Sequence, residues 1–234
     1  MSVWLGVQRG LELALAGAGL VWGFCTLPNS EAADDFRYFE SQLLQSETYS
    51  SKTLALKLAS PAAQAVRDCD TYSQTALMLV EMRLAQAALR SGSISEFDKH
   101  AQSLESRSRR TLACAPRQSF IWLLAFSLSV VHGRLNEHTF DLLAISFETS
   151  PNEAWISIRR TPVALPLVLI ASEPLRKQIL HEFQQLISNG FVDVAAHSYL
   201  AVSGSIRSLL QAQIEQLEPA QQKTFTEALH KFGS

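Results

Sequence analysis

The sequence predicts an all-α protein: an N-terminal membrane helix followed by a body of antiparallel helical hairpins. Three observations carry that expectation. Alanine, leucine, glutamine and glutamate dominate the body, while alternating β-branched runs are almost absent, which is helix composition. Prolines stand at the front of helix-like runs, where a missing N–H costs nothing. Between those prolines the apolar residues recur with the period of one helix face.

Length and charge bound the rest. A chain of 234 residues accommodates one large domain or two small ones. Hydrophobic residues make up 47%, enough for a buried core. Twenty basic residues against 22 acidic ones leave a formal charge of −2, which argues against a dedicated nucleic-acid binder.

The N-terminus differs from the body. "VWLGVQRGLELALAGAGLVWGFCTL" carries Arg9 and Glu12 as its charges, and none follows until Glu31. The uninterrupted part, Leu13 to Leu27, is 15 residues, a length that suits a signal-peptide core. Extension back to Val3 reaches a full span if Arg9 and Glu12 pair or snorkel. Residues 1–28 therefore read as a signal anchor. A cleaved signal, cut after Ser30-Glu31-Ala32, and a buried core helix are the alternatives. Trp4 and Trp22 suit an interfacial belt. Arg9 ahead of the apolar core and Glu31, Asp34 and Asp35 behind it orient the N-terminus in and the body out.

Residues 29–60 read as a linker with short helices, and 61–234 as the helical-hairpin domain. Pro61, Pro116, Pro151, Pro174 and Pro219 mark helix starts, and Ser150-Pro151-Asn152-Glu153 has the form of a capping box. "TYSQTALMLVEMRLAQAALR" places Ala76, Leu77, Val80, Leu84 and Ala88 on one face. "SEFDKHAQSLESRSRRTLA" does the same with Phe97, Ala101, Leu104 and Leu112. "PRQSFIWLLAFSLSVVHG" is apolar nearly all round but too short to span a bilayer, so it reads as a buried helix. Gly133 breaks it, "NEHTFDLLAISFETS" returns antiparallel, and three or four more helices follow, with Gly190 as a C-terminal cap. From Pro116 to Pro151 is 35 residues, close to the ~34-residue tetratricopeptide period. The array is degenerate, and an ordinary helical bundle is the alternative.

Cys69 opens one long helix and Cys114 closes the next, 23 and 22 residues from Gly92. Equal arms bring both to one end of a hairpin, within reach of a disulfide. A structural disulfide implies an oxidising compartment, in agreement with export. Two buried reduced thiols are the alternative. Cys25, inside the apolar segment, is left without a partner.

No motif of metal, phosphate or acyl chemistry is present: H-E-x-x-H, a Gly-rich phosphate loop, G-x-S-x-G and S-x-x-K are all missing. No cofactor, metal ligand or catalytic residue is therefore expected. Arg107, Arg109 and Arg110 form a basic run that reads as a solvated helix face. Asn152, Glu153, Trp155, Arg159 and Arg160 are the candidate interaction surface. The structural reading makes Glu153 a cap, Trp155 core and the arginines partners of acids; the functional one makes tryptophan and paired arginines contacts for protein or carbohydrate.

"CAPRQSFIWLLAFSL", "SFETSPNEAWISIRR" and "LHEFQQLISNGF" resemble tetratricopeptide-like helical proteins of alphaproteobacteria, membrane-anchored or exported and encoded near exopolysaccharide genes. The resemblance runs from about Cys69 to the C-terminus and is most specific at "SPNEAWISIRR". That family prefers Gly-Pro-Asn-Glu-Gly-Trp-Ile and then Arg-Asn; Ser150, Ala154 and Thr161 depart from it here. The resemblance implies a non-enzymatic scaffold or interaction module accessory to polysaccharide synthesis and export, with protein partners in a cell-envelope assembly. The alternatives are an exported carbohydrate-active enzyme and a cytoplasmic helical adaptor.

Overall fold

A computed structural model describes residues 15–21 and 49–233 of the chain. Among the described residues every regular element is helical, so the all-α expectation holds. The proposed anchor enters this description only through 15–21, which are helical and exposed (α1). Among the described residues no helix is long and apolar enough to cross a membrane. Cys25, the Ala32–Ala33 junction and most of the 29–60 linker lie outside the described residues.

The chain divides into two compact units, Met1–Ala115 and Pro116–Ser234. In the first, Ser50 caps α2 (Ser51–Leu58) through its hydroxyl, and Ser60 caps α3 (Pro61–Gln64), with Pro61 at the first helical position. Asp70 accepts from the Ser73 N–H to start α4 (Thr71–Arg90). Ala76, Leu77, Val80, Leu84 and Ala88 are all buried, as their spacing requires. Burial also runs without a break from Ser73 to Val80 and on to Glu81, because α2 covers a second side of α4 while α5 (Ile94–Cys114) covers the first.

Gly92 makes that hairpin possible. Its φ of +74° is in the left-handed region, and the turn closes by Ser93 N–H to Ala88 O (2.9 Å) and Gly92 N–H to Leu89 O (3.0 Å). On α5, Phe97, Ala101 and Leu104 are buried, but the stripe then continues through Ser108 and Thr111, with Leu112 only half-buried. Cys69 and Cys114 form a disulfide with their Cα atoms 5.3 Å apart, so the equal arms do meet at one end.

Arg107 corrects the reading of the basic run as a solvated face. Arg109 and Arg110 are exposed and paired with Glu105 and Asp68. Arg107 instead turns inward: its Nη1 donates to Gln74 Oε1 (2.6 Å), and its Nε lies 3.8 Å from Glu81 Oε2. Burial lowers its guanidinium from the usual value, and the Glu81 carboxylate only partly offsets that. The sequence position gave no warning, because the partners sit on a different helix.

The second unit begins with α6 (Ser119–Val131) and α7 (Glu137–Thr149), which pack together around the Gly133 turn. Asn136 caps α7 by accepting from the Thr139 N–H (3.0 Å). Next come α8 (Ala154–Ala164), a single 3-10 turn (Leu165–Leu167), α9 (Glu173–Ser188), α10 (Val192–Ala201), α11 (Gly204–Ile214) and α12 (Pro219–Gly233). Pro162 cannot donate to the Ile158 carbonyl, and α8 gives way to the 3-10 turn after Ala164. Gly190 ends α9 with φ +86° and the Phe191 N–H bonded to Leu186 O (2.8 Å), the expected cap. The core of α9, α10 and α12 centres on Phe225, whose ring meets those of Phe183 and Tyr199 edge-on at 5.9 and 5.8 Å.

Two helix starts differ from their prolines. α6 begins at Ser119 instead of Pro116, and α8 begins at Ala154 instead of Pro151. At the second, the Ser150 carbonyl accepts from Arg160 Nη2, and the chain bends at 151–152 before α8 starts.

Candidate functional site

The site grows from one side chain. Arg160 is 0% exposed, so it does not belong to a surface, and the expectation that placed it with the interaction residues is corrected. A guanidinium in such a place needs a partner for every N–H. Nε donates to both oxygens of Glu182 (3.1 and 3.0 Å), and Nη2 donates to Glu182 Oε2 and to Ser150 O. Nη1 donates to Ser146 O (2.7 Å) and Oγ (3.2 Å). The Phe147 ring lies under the guanidinium carbon at 3.9 Å, a cation–π contact out of reach of water.

Glu182, 6% exposed, is equally engaged. Besides the guanidinium it accepts from Ser157 Oγ (2.8 Å) and Thr161 Oγ1 (3.2 Å). Ser146 extends the network to α6, donating to Ser119 O (3.1 Å) while Ser119 Oγ donates to Ser146 O (2.7 Å). One ion pair thus ties α6, α7, α8 and α9 together. Removing either charge leaves the other buried and alone.

The remaining candidate residues surround the first turn of α8. Asn152 and Glu153 are exposed, and Glu153 sits at the capping position. The capping box does not form: the Glu153 carboxylate accepts the Trp155 indole N–H (3.0 Å) instead. Trp155 is half-buried, not core, with its ring 5.6 Å from that of Phe120. Arg159 donates to Trp155 O (2.8 Å), and its guanidinium lies 5.6 Å from the indole ring.

Beside this turn lies a cleft of about 170 Å³ between the 151–157 stretch and α9. Phe147, Leu186 and Phe191 supply its apolar floor, and Pro151, Ala154 and Ser157 supply one wall. Asn152, Gln178, His181, Gln185 and Asn189 form an exposed polar rim. Among its lining residues Glu182 is the one carboxylate, and it is held by Arg160.

No protein-family model, curated protein or solved structure matches this chain.

The cleft and the ion pair must therefore be read from their own chemistry. Sequence reasoning singled out Asn152, Glu153, Trp155 and Arg159, and the structure gathers them around one helix end. It missed Glu182 and the α9 amides. A signal for Glu182 existed: in the run Leu175, Ile179, Glu182, Phe183, Leu186 it occupies a position of the apolar stripe, all of it buried. A charge on a core face announces a buried partner. The amides carried no such signal, because glutamine on an exposed helix face is commonplace.

Proposed function

We propose that this protein is a non-enzymatic interaction module, held at the bacterial inner membrane by residues 1–28 with its tetratricopeptide-like body in the periplasm. Its role is accessory to exopolysaccharide synthesis and export, as the resemblance in "SPNEAWISIRR" implies. The observation that carries the non-enzymatic part is the state of Glu182. A hydrolase of glycans needs two carboxylates with protons to exchange, held about 5–10 Å apart across the substrate. The one carboxylate of this cleft has its oxygens occupied by Arg160, Ser157 and Thr161. What faces solvent is amides, the His181 imidazole, an apolar floor and the Trp155–Arg159 pair, with no second carboxylate beside Glu182 among the lining residues. The Cys69–Cys114 disulfide supports the compartment, since such bonds persist outside the reducing cytoplasm.

The test has two parts. Alkaline phosphatase joined after residue 60 is expected to be active and β-galactosidase at the same point poor; the reverse would return the protein to the cytoplasm. A deletion strain deficient in polysaccharide should be rescued by the wild-type gene but not by the Asn152→Ala/Arg159→Ala pair, although that variant folds. Full rescue by the pair would remove the interaction surface from the account.

A further inference from the structure

We infer that the loop between the 3-10 turn and α9 is a lipid contact, in which Leu169 and Ile170 enter the headgroup–acyl boundary of the bilayer that holds residues 1–28. The inference rests on the membrane-anchored reading and names a second place where the chain meets that bilayer.

Exposure raises the question. Leu169 is 46% and Ile170 61% exposed, and Pro166 is exposed with them. From Thr161 to Ser172 no side chain carries a charge. Apolar side chains alone do not admit a loop to lipid, because lipid cannot bond a free carbonyl or N–H. This loop has spent most of its own. Arg176, reaching back from α9, donates through Nε to Val168 O (3.1 Å) and through Nη2 to Leu169 O (3.1 Å) and Ala171 O (3.2 Å). Leu167 O accepts from the N–H groups of Ile170 and Ala171, both at 3.1 Å. A contact at headgroup depth, ~5–10 Å into the boundary, leaves water for the remaining Leu169 N–H and Ile170 carbonyl.

The same bonds choose lipid over a protein partner. Protein interfaces add about one hydrogen bond per 100–200 Å², and a loop whose carbonyls are held by its own arginine offers few. Ile94, 59% exposed, supplies the contrast. Arg90 is exposed before it, and Glu96 and Lys99 are exposed behind it, so its entry would carry charges toward the bilayer. Beside Ile170 the arginine is engaged with the loop, and Lys177 stands 3.5 Å from Glu173, so the contact does not depend on anionic headgroups. Reach is not an obstacle. Residues 29–48, even fully extended, carry the body no farther than ~70 Å from the anchor.

The experiment uses the full chain, isotope-labelled at isoleucine methyl groups, in phosphatidylcholine nanodiscs that hold one copy each. Paramagnetic broadening is read twice, from a nitroxide on the lipid acyl chain and from a soluble gadolinium chelate. The Ile170 methyl is expected to be broadened by the nitroxide and shielded from the chelate, and the Ile94 methyl the reverse. One copy per disc removes a second chain, and purified components remove a protein partner. Leu169→Asp, at an exposed position, should lower the inserted population about 10-fold or more without changing the melting temperature. Leu169→Ser should act in the same direction. An Ile170 methyl as open to the chelate as that of Ile94 would overturn the inference. Equal broadening of both by the nitroxide, or shielding of Ile170 that survives Leu169→Asp, would do the same. Entry into discs with Ile170 open to the chelate would leave the anchor standing without this contact. Failure of the chain to enter discs would instead remove the anchor reading, and the inference with it.

Discussion

Each of the two units sets an arginine against a buried glutamate on a neighbouring helix, and the two pairs are built to different standards. In the second unit Arg160 and Glu182 use every donor and both acceptor oxygens. In the first unit Arg107 and Glu81 approach only to 3.8 Å, and both Arg107 Nε and Glu81 Oε2 are buried without a hydrogen-bond partner. His100 Nδ1 stands 3.5 Å from the other Glu81 oxygen, at the limit of a bond. Burial lowers the Arg107 guanidinium, so desolvation outweighs the attraction of its partner there. The first unit has a covalent cross-link at the base of the same hairpin, while the second unit contains no cysteine. The difference teaches where each unit keeps its stability: one in a disulfide, the other in a satisfied polar network.

That comparison can be broken most readily at Glu182. Glu182→Ala leaves Arg160 buried with its charge unmet and deprives Ser157 and Thr161 of their acceptor, an expected loss of about 5 kcal/mol, the upper end for a broken buried pair. Hydrogen exchange of the α8 and α9 amides measures it. A loss under 1 kcal/mol would mean that the network carries no weight.

On the other side, Cys69→Ser/Cys114→Ser opens a loop with a sequence separation of 45. Chain-entropy arithmetic for that length gives about 4 kcal/mol. Exchange protection across α4 and α5 should fall accordingly, and dithiothreitol should reproduce the effect in the wild-type chain. Unchanged protection would show that the loosely made pair suffices alone.

The edge of the second network is expected to matter less. Trp155 is half-buried, so Trp155→Ala should cost ~2 kcal/mol, about half of what a core tryptophan loses. Arg159→Ala should cost under ~1 kcal/mol. A loss above ~3 kcal/mol for Trp155→Ala would extend the core of the second unit to this residue.

What could be read in advance was whatever depends on neighbours in sequence. The Ala76–Ala88 face follows from helical period, and the Cys69–Cys114 link follows from equal arms about Gly92. The helix start at Pro61 is equally local. Errors began where a distant partner decides. Arg160 looked like half of a surface pair, but its acceptor is 22 residues away on another helix. A second bond of Arg160, to Ser150 O, accompanies the start of α8 at Ala154, past Pro151. The amide rim of the cleft became visible only when α9 was laid beside the 151–157 stretch, since no periodicity marks an exposed glutamine.

The non-catalytic reading depends on Glu182 being consumed by Arg160, and a pair of double-mutant cycles measures that directly. One combines Arg160→Met with Glu182→Leu, the other Arg107→Met with Glu81→Leu, each followed by exchange of amides in its own unit. The account predicts a coupling of about 3 kcal/mol for Arg160–Glu182 and below about 1 kcal/mol for Arg107–Glu81. Equal couplings, or a larger one in the first unit, would contradict it and return Glu182 to the list of groups free to act.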